Sequence, residues 1–194
     1  MRSCLSRAVV VAVSFASIAM TAVAQTPPSN PVPPGFILSP LSRATIFVRD
    51  QEESLKLYRD ILGLRVRADR EFNDARFNQI LGTQGLTIKV KILQSGDVVY
   101  GNVGLFQLVG DDRTKVPAPL QAATSVTGDA AVVFNTTDIR GINDKVKAAG
   151  YTVIAEPMVL FPNPEMEVEP LEMLFRDRDG ILVNLIQPGV AKAK

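Results

Sequence analysis

The stretch Ala44–Leu64, "ATIFVRDQEESLKLYRDILGL", decides the fold. Its β-branched and aromatic opening reads as a strand. Asp50 follows as a helix N-cap, with Glu53 completing a capping-box-like pair. Leu55, Tyr58, Ile61 and Leu62 fall on one helical face, and Gly63 supplies a left-handed stop. The same grammar returns downstream. "AAVVFN", residues 130–135, is a strand, Thr137 or Asp138 is the cap, and Ile139, Ile142, Val146 and Ala149 form the stripe. Gly150 is the stop. Cap to glycine is 13 residues in one copy and 12 in the other.

Each glycine leads into further β-rich runs. These are "LRVRADREF", "LTIKVKILQ" and "NVGLFQLVG" in the first copy, and "YTVIAEPMVL", "EMLFRD" and "ILVNLIQ" in the second. In the second copy "RDGI" carries the Asp-Gly signal of a tight hairpin. The order β-α-β-β-β therefore occurs twice, which predicts an α+β domain of two paired modules forming an open curved sheet with helices outside. Strand parity predicts the faces. Ala44, Ile46 and Val48, with Val132, Phe134 and Thr136, pack under the helices. Arg43, Thr45 and Phe47, with Ala131, Val133 and Asn135, line the cup.

Outside this domain the chain reads differently. "MRSCLSR" carries Arg2 and Arg7 and no acid, and an uncharged run from Ala8 to Ala24 ends in Ala22-Val23-Ala24. Residues 1–24 are thus expected to be a signal peptide cleaved after Ala24, sending the protein to the periplasm or outside the cell. An uncleaved anchor is the alternative reading, but the run is short for spanning and rich in Ala and Ser. Residues 25–40 form a proline-rich tether. The domain spans 41–190: module one 41–110, linker 111–129 and module two 130–187, with 188–194 a C-terminal tail. Cleavage leaves 19 basic against 20 acidic residues, a balance that argues against nucleic acid or an anionic membrane as partner. The single cysteine, Cys4, leaves with the signal, so no disulfide is expected.

The units "IFVRDQEESLKLYRDILGL", "VVFNTTDIRGINDKVKAAGY" and "FRDRDGILVNLIQ" together resemble the vicinal oxygen chelate superfamily, which includes glyoxalase I, extradiol dioxygenases and bleomycin or fosfomycin resistance proteins. The family usually has Asp-Pro-Asp-Gly in the last unit, where this chain has Arg178 in place of the proline. The resemblance implies metal ligands at the start of each module's first strand and in its last strand. By motif matching these positions are Arg43, Gln107, Ala131 and Asn184. A cation, two amides and a methyl group do not make a zinc, nickel or iron site, and the chain has no histidine. Glu165, Glu167, Glu169 and Glu172 cluster in a Pro-containing segment and read as a solvated loop. No metal and no other cofactor is expected.

The leading expectation is a binder of a small, partly apolar and anionic molecule, with Arg43, Thr45, Phe47, Gln107, Asn135 and Asn184 as ligand-binding residues. Two alternatives stand beside it. One is a glyoxalase-type lyase, isomerase or dioxygenase with an unusual metal set or none, in which Arg43 stabilises an oxyanion and Tyr100 or Tyr151 moves a proton. The other is a protein-interaction module, for which a homodimer is the natural form.

Overall fold

The computed structural model describes residues 32–110, 121–159, 162 and 168–191. The expected signal peptide, the first part of the tether and the first part of the linker lie outside the described residues, as do Glu165 and Glu167. Among the described residues, no helix is long and apolar enough to cross a membrane.

The elements run β1 (Arg43–Phe47), α1 (Gln51–Leu55), β2 (Arg65–Phe72), α2 (Ala75–Ile80), β3 (Thr87–Gln94) and β4 (Asn102–Val109). The second module contains β5 (Ala131–Asn135), α3 (Ile139–Ala148), β6 (Thr152–Val159), β7 (Val168–Arg176) and β8 (Leu182–Ala191). Two four-stranded mixed sheets result, ordered β1-β4-β3-β2 and β5-β8-β7-β6. In each, the first strand pairs parallel with the last and the remaining pairs are antiparallel. The last strand runs on past Gln187 to pair Ala191 with Val168.

Local chemistry accounts for the repeat. The Asp50 carboxylate accepts from the Glu52 and Glu53 backbone N–H groups, and Asp138 accepts from Gly141. The second cap is therefore Asp138 rather than Thr137. Glu53 does not reach back to close a capping box; it pairs with Lys56. Gly63 and Gly150 adopt φ of 77° and 73°, the left-handed geometry that ends each helical segment. Two features depart from a plain repeat. After α1 the chain widens into a π-helical turn over Lys56–Ile61, in which Leu62 N–H donates to the Leu57 carbonyl. The wider turn buries Leu57 beside Leu55 and Tyr58, a position outside the 3.6-residue stripe. The first module also carries α2, capped by Asp74, which has no counterpart in the second.

One core is shared by both halves. Ile46, Leu55, Tyr58, Leu93 and Leu105 from the first module pack in the same cluster as Ile139, Val146, Met173, Phe175 and Leu185 from the second. A smaller cluster of Leu86, Ile88, Val90 and Phe106 lies on the other face of the first sheet, beneath Phe77 of α2. Asn78 fixes α2 there. Its amide donates to the carbonyls of Asp74 and Leu86 and accepts from Leu86 N–H and the Thr83 hydroxyl.

The β7–β8 hairpin clasps the first module. Tyr58 donates its hydroxyl to Asp177 Oδ2 at 2.8 Å, and Asp177 Oδ1 accepts from the backbone of Asp179 and Ile181. Beside it Arg49 donates to Asp179 Oδ1 at 3.0 Å and to the Arg178 carbonyl at 2.6 Å. Arg178, in place of the family's proline, donates to the Ala149 carbonyl at the end of α3 and lies 4.7 Å from the Tyr151 ring centre. Arg176, fully buried, forks onto Asp129 and donates to the carbonyls of Ala122 and Thr124, tying the end of the linker to the second sheet. This hydrogen bonding holds Asp129 below the ordinary carboxylate range.

Burial is the main reason the Asp177 carboxyl titrates above its ordinary range, even though Tyr58 opposes the shift. A carboxyl raised on folding stabilises fully below its unfolded pKa and loses that contribution as pH rises through the folded value. Asp177→Asn keeps the acceptor for the two backbone donors and removes the titration. The stability advantage of the wild type over Asp177→Asn should therefore be largest near about pH 4 and shrink toward about pH 8. Urea melts across that range check this; an advantage that grows with pH refutes it. Tyr58→Phe, which leaves Asp177 short of a donor, should cost about 1–3 kcal/mol at neutral pH.

Candidate functional site

Pairing in register sends neighbouring side chains to the same side of a sheet. Arg43 lies beside Asn102, Thr45 beside Gly104 and Phe47 beside Phe106. In the second module Ala131 lies beside Leu182, Val133 beside Asn184 and Asn135 beside Ile186. The alternating positions, Ile46, Val103 and Leu105 in one module and Val183 and Leu185 in the other, form the shared core. Arg43, Thr45, Phe47, Asn135 and Asn184 thus project from the faces turned away from that core.

Arg43 is held in place by three contacts. Its Nε donates to Thr45 Oγ1 at 2.9 Å, and its guanidinium carbon lies 5.2 Å from the centre of the Phe106 ring. Its stem crosses Gly104 so closely that a Cβ there would sit 2.8 Å from Arg43 Cδ. Phe47 meets the same Phe106 ring edge-on at 5.8 Å and remains 52% exposed, while Phe106 is buried. Arg43, Thr45, Phe47, Gly104 and Phe106 therefore make one patch. The second module has a different one: Asn184 Nδ2 donates to Glu172 Oε1 at 2.8 Å and to the Met173 carbonyl at 3.3 Å, with Val133 and Asn135 exposed alongside. No hydrogen bond, ion pair or ring contact among the described residues links the two patches.

Gln107 belongs to neither. It shares parity with Val103 and Leu105 on the helix side of the sheet, where its Oε1 accepts from Gln51 N–H at the start of α1. Gln187 does the same for Ile139 N–H at the start of α3. The two glutamines are equivalent, so the first-module counterpart of Asn184 is Gly104, three residues before Gln107. Beyond Gln107, on that same side, a cavity of about 540 Å³ is lined by charged groups including Asp69, Glu71, Lys89 and Lys91.

The family described as the Glyoxalase/Bleomycin resistance protein/Dioxygenase superfamily matches residues 41–185. The chain belongs to this superfamily. No curated protein matches it. Among solved structures, a glyoxalase family protein from Bacillus cereus superposes with a TM-score of 0.60 at 15% identity, covering 80% of this chain and 97% of that one. The antibiotic binding protein TnmS3 from a Streptomyces species gives 0.48 at 18% identity, covering 79% and 99%. The trypanothione-dependent glyoxalase I of Leishmania major gives 0.48 at 14%, covering 76% and 85%. At these identities the likeness concerns the fold.

Within the superfamily frame, the four positions implied for metal ligands are now Arg43, Gly104, Ala131 and Asn184. One is a permanent cation, two have no donor atom, and the amide of Asn184 is engaged with Glu172. Among the described residues no three His, Cys, Asp or Glu side chains gather as a metal site would require. This set does not fit a divalent ion. Glu169 and Glu172 are not in a solvated loop as the composition suggested; both lie in β7, which begins at Val168 and includes Pro170. Tyr151 packs under Arg178 at the end of α3, away from the lining faces, and burial raises its pKa. That placement keeps it apart from the lining residues named above.

Sequence reading missed Gly104, Phe106 and Phe77. "NDARFNQILG" does hold a cap at Asp74 and a stop at Gly82, but its stripe is too short to register as a helix. Because Gln107 and Gln187 act as helix caps, Gln107→Ala and Gln187→Ala should each lower stability by about 0.5–2 kcal/mol. Both should leave ligand binding unchanged. Thermal melts and binding titrations of the two variants check this; a binding loss in Gln107→Ala without a stability loss would return it to the site.

Proposed function

We propose that the protein is an exported, metal-independent binder of a small, partly apolar molecule carrying an anionic group. The observation that carries this reading is Arg43 lying flat across Gly104. A guanidinium covers the position where a metal-binding relative would present a ligand, and the glycine is what makes room for it. The patch offers a fixed positive charge beside an exposed phenylalanine, the combination that orients an amphipathic ligand. Among the described lining positions, β1, β4, β5 and β8 contribute Arg43 as their one ionisable side chain, and the carboxylate of Glu172 on β7 is engaged by Asn184. A general acid or base for glyoxalase-type chemistry would have to come from elsewhere, so binding is favoured over catalysis. Export rests on the signal-like residues 1–24.

Elemental analysis and native mass spectrometry of protein taken from the exported fraction, with no ions added, test the proposal. Less than about a tenth of a zinc, nickel, manganese or iron equivalent per chain is expected. A bound small molecule is expected to be released on denaturation. A stoichiometric, tightly held metal would overturn the reading.

A further inference from the structure

We infer that the ligand class is a small planar aromatic carboxylate, its carboxylate seated on Arg43 and its ring on Phe47. This rests on the binding reading above and narrows it. Nε of Arg43 is engaged by Thr45, and among the described residues neither Nη meets a partner. Those two N–H₂ groups form the end-on fork that donates to both oxygens of a carboxylate. The fork does not swing freely, because the Thr45 bond, the Phe106 ring and the groove over Gly104 restrain it from three sides. A donor pair fixed before binding loses less entropy when a ligand arrives.

The charge around it is one-sided. In the first sheet the lining positions carry Arg43 and, on β2, Arg65 and Arg70, and no acid; Arg65 is paired with Asp97 of the β3–β4 connection. Asp69, Glu71, Lys89 and Lys91 all face the other way. An anion beside Arg43 thus meets no carboxylate carried by the lining positions of the four strands themselves. A single restrained guanidinium matches one negative charge, so a dianionic phosphate would be left half neutralised. A carboxylate is the better complement.

Ring geometry sets the rest of the molecule. The Arg43 guanidinium carbon is 5.2 Å and the Phe47 ring 5.8 Å from the same Phe106 centre, so the two lie within about 11 Å of each other. A carboxylate attached directly to an aromatic ring spans that interval with its ring at stacking distance, roughly 4.5–7 Å between centres, from Phe47. Phe106 is already covered by Arg43, and Phe77 is stacked on Phe72 at 4.4 Å. Phe47, half exposed, is the ring left open to a guest.

NMR titration of the intact protein with benzoate, benzamide and inorganic phosphate tests this, with thermal melts to verify folding of each variant. Benzoate should give saturable shifts, benzamide should bind about tenfold or more weakly, and phosphate should not compete. Arg43→Gln should weaken benzoate by about tenfold while leaving benzamide unchanged. Gly104→Ala, which pushes Arg43 off its seat, should reproduce the benzoate loss, and Phe47→Ala should weaken both aromatic ligands. Absence of saturable benzoate binding overturns the inference, as does competition by phosphate or unchanged affinity in Arg43→Gln. Benzamide binding as tightly as benzoate, with both lost in Phe47→Ala, rejects the carboxylate and leaves the binding reading standing. That reading falls separately, on the metal analysis.

Discussion

The whole molecule hangs on a carboxylate placed where carboxylates are costly. Asp177 is 3% exposed, and its two oxygens take three hydrogen bonds: two that shape the β7–β8 turn and one from Tyr58 of the opposite half. A buried acid is tolerated only when its acceptors are filled. The turn takes its form from the two bonds to Asp177, and Asp177 is short of a donor without Tyr58. Tyr58 in turn reaches it from the π-helical turn. Arg49 and Asp179 add a second tie at the same junction, half in water and correspondingly weaker. The two modules therefore meet through a polar lock set in a shared apolar core.

On that frame the two halves repeat in backbone and diverge in side chain. Gln107 and Gln187 occupy one structural position and perform one task, accepting a hydrogen bond from the first free N–H of a helix. The positions that face away from the core are where they part. Arg43 stands opposite Ala131, Phe47 opposite Asn135, and Gly104 opposite Asn184. Each change in the first module favours the next: the glycine admits the arginine, the arginine covers Phe106, and Phe106 supports Phe47. The second module spends its lining on an amide–carboxylate pair instead. A symmetric scaffold thus carries an asymmetric surface, with the guanidinium on one half and the amide-bound carboxylate on the other.

Much of this was legible in the residues because it was local. Asp50 and Asp138 cap, Gly63 and Gly150 stop, and the alternation around Ile46 and Phe134 gives the strands their faces. None of these needs a distant contact to be recognised. What escaped depended on partners far along the chain. Gln107 was placed on the wrong face because "GLFQL" has no cap or turn to pin its register; only its pairing with β1 and β3 does that. The π-helical turn answers to Asp177, more than a hundred residues away. Glu172 looked like part of a polar loop because its neighbours are acids and prolines, while its strand identity comes from pairing with Met158 and Ile186. The short α2 is held less by its own sequence than by Asn78 and the rings beneath it.

That small helix has an outcome for the face that carries Arg43. Phe77 and Phe72 press against the sheet on the side where a visitor would lie, and Leu86, Ile88 and Val90 are sealed under them. The chain has upholstered part of its own hollow. The margin along β1 stays open, with Phe47 half exposed beside the covered Phe106.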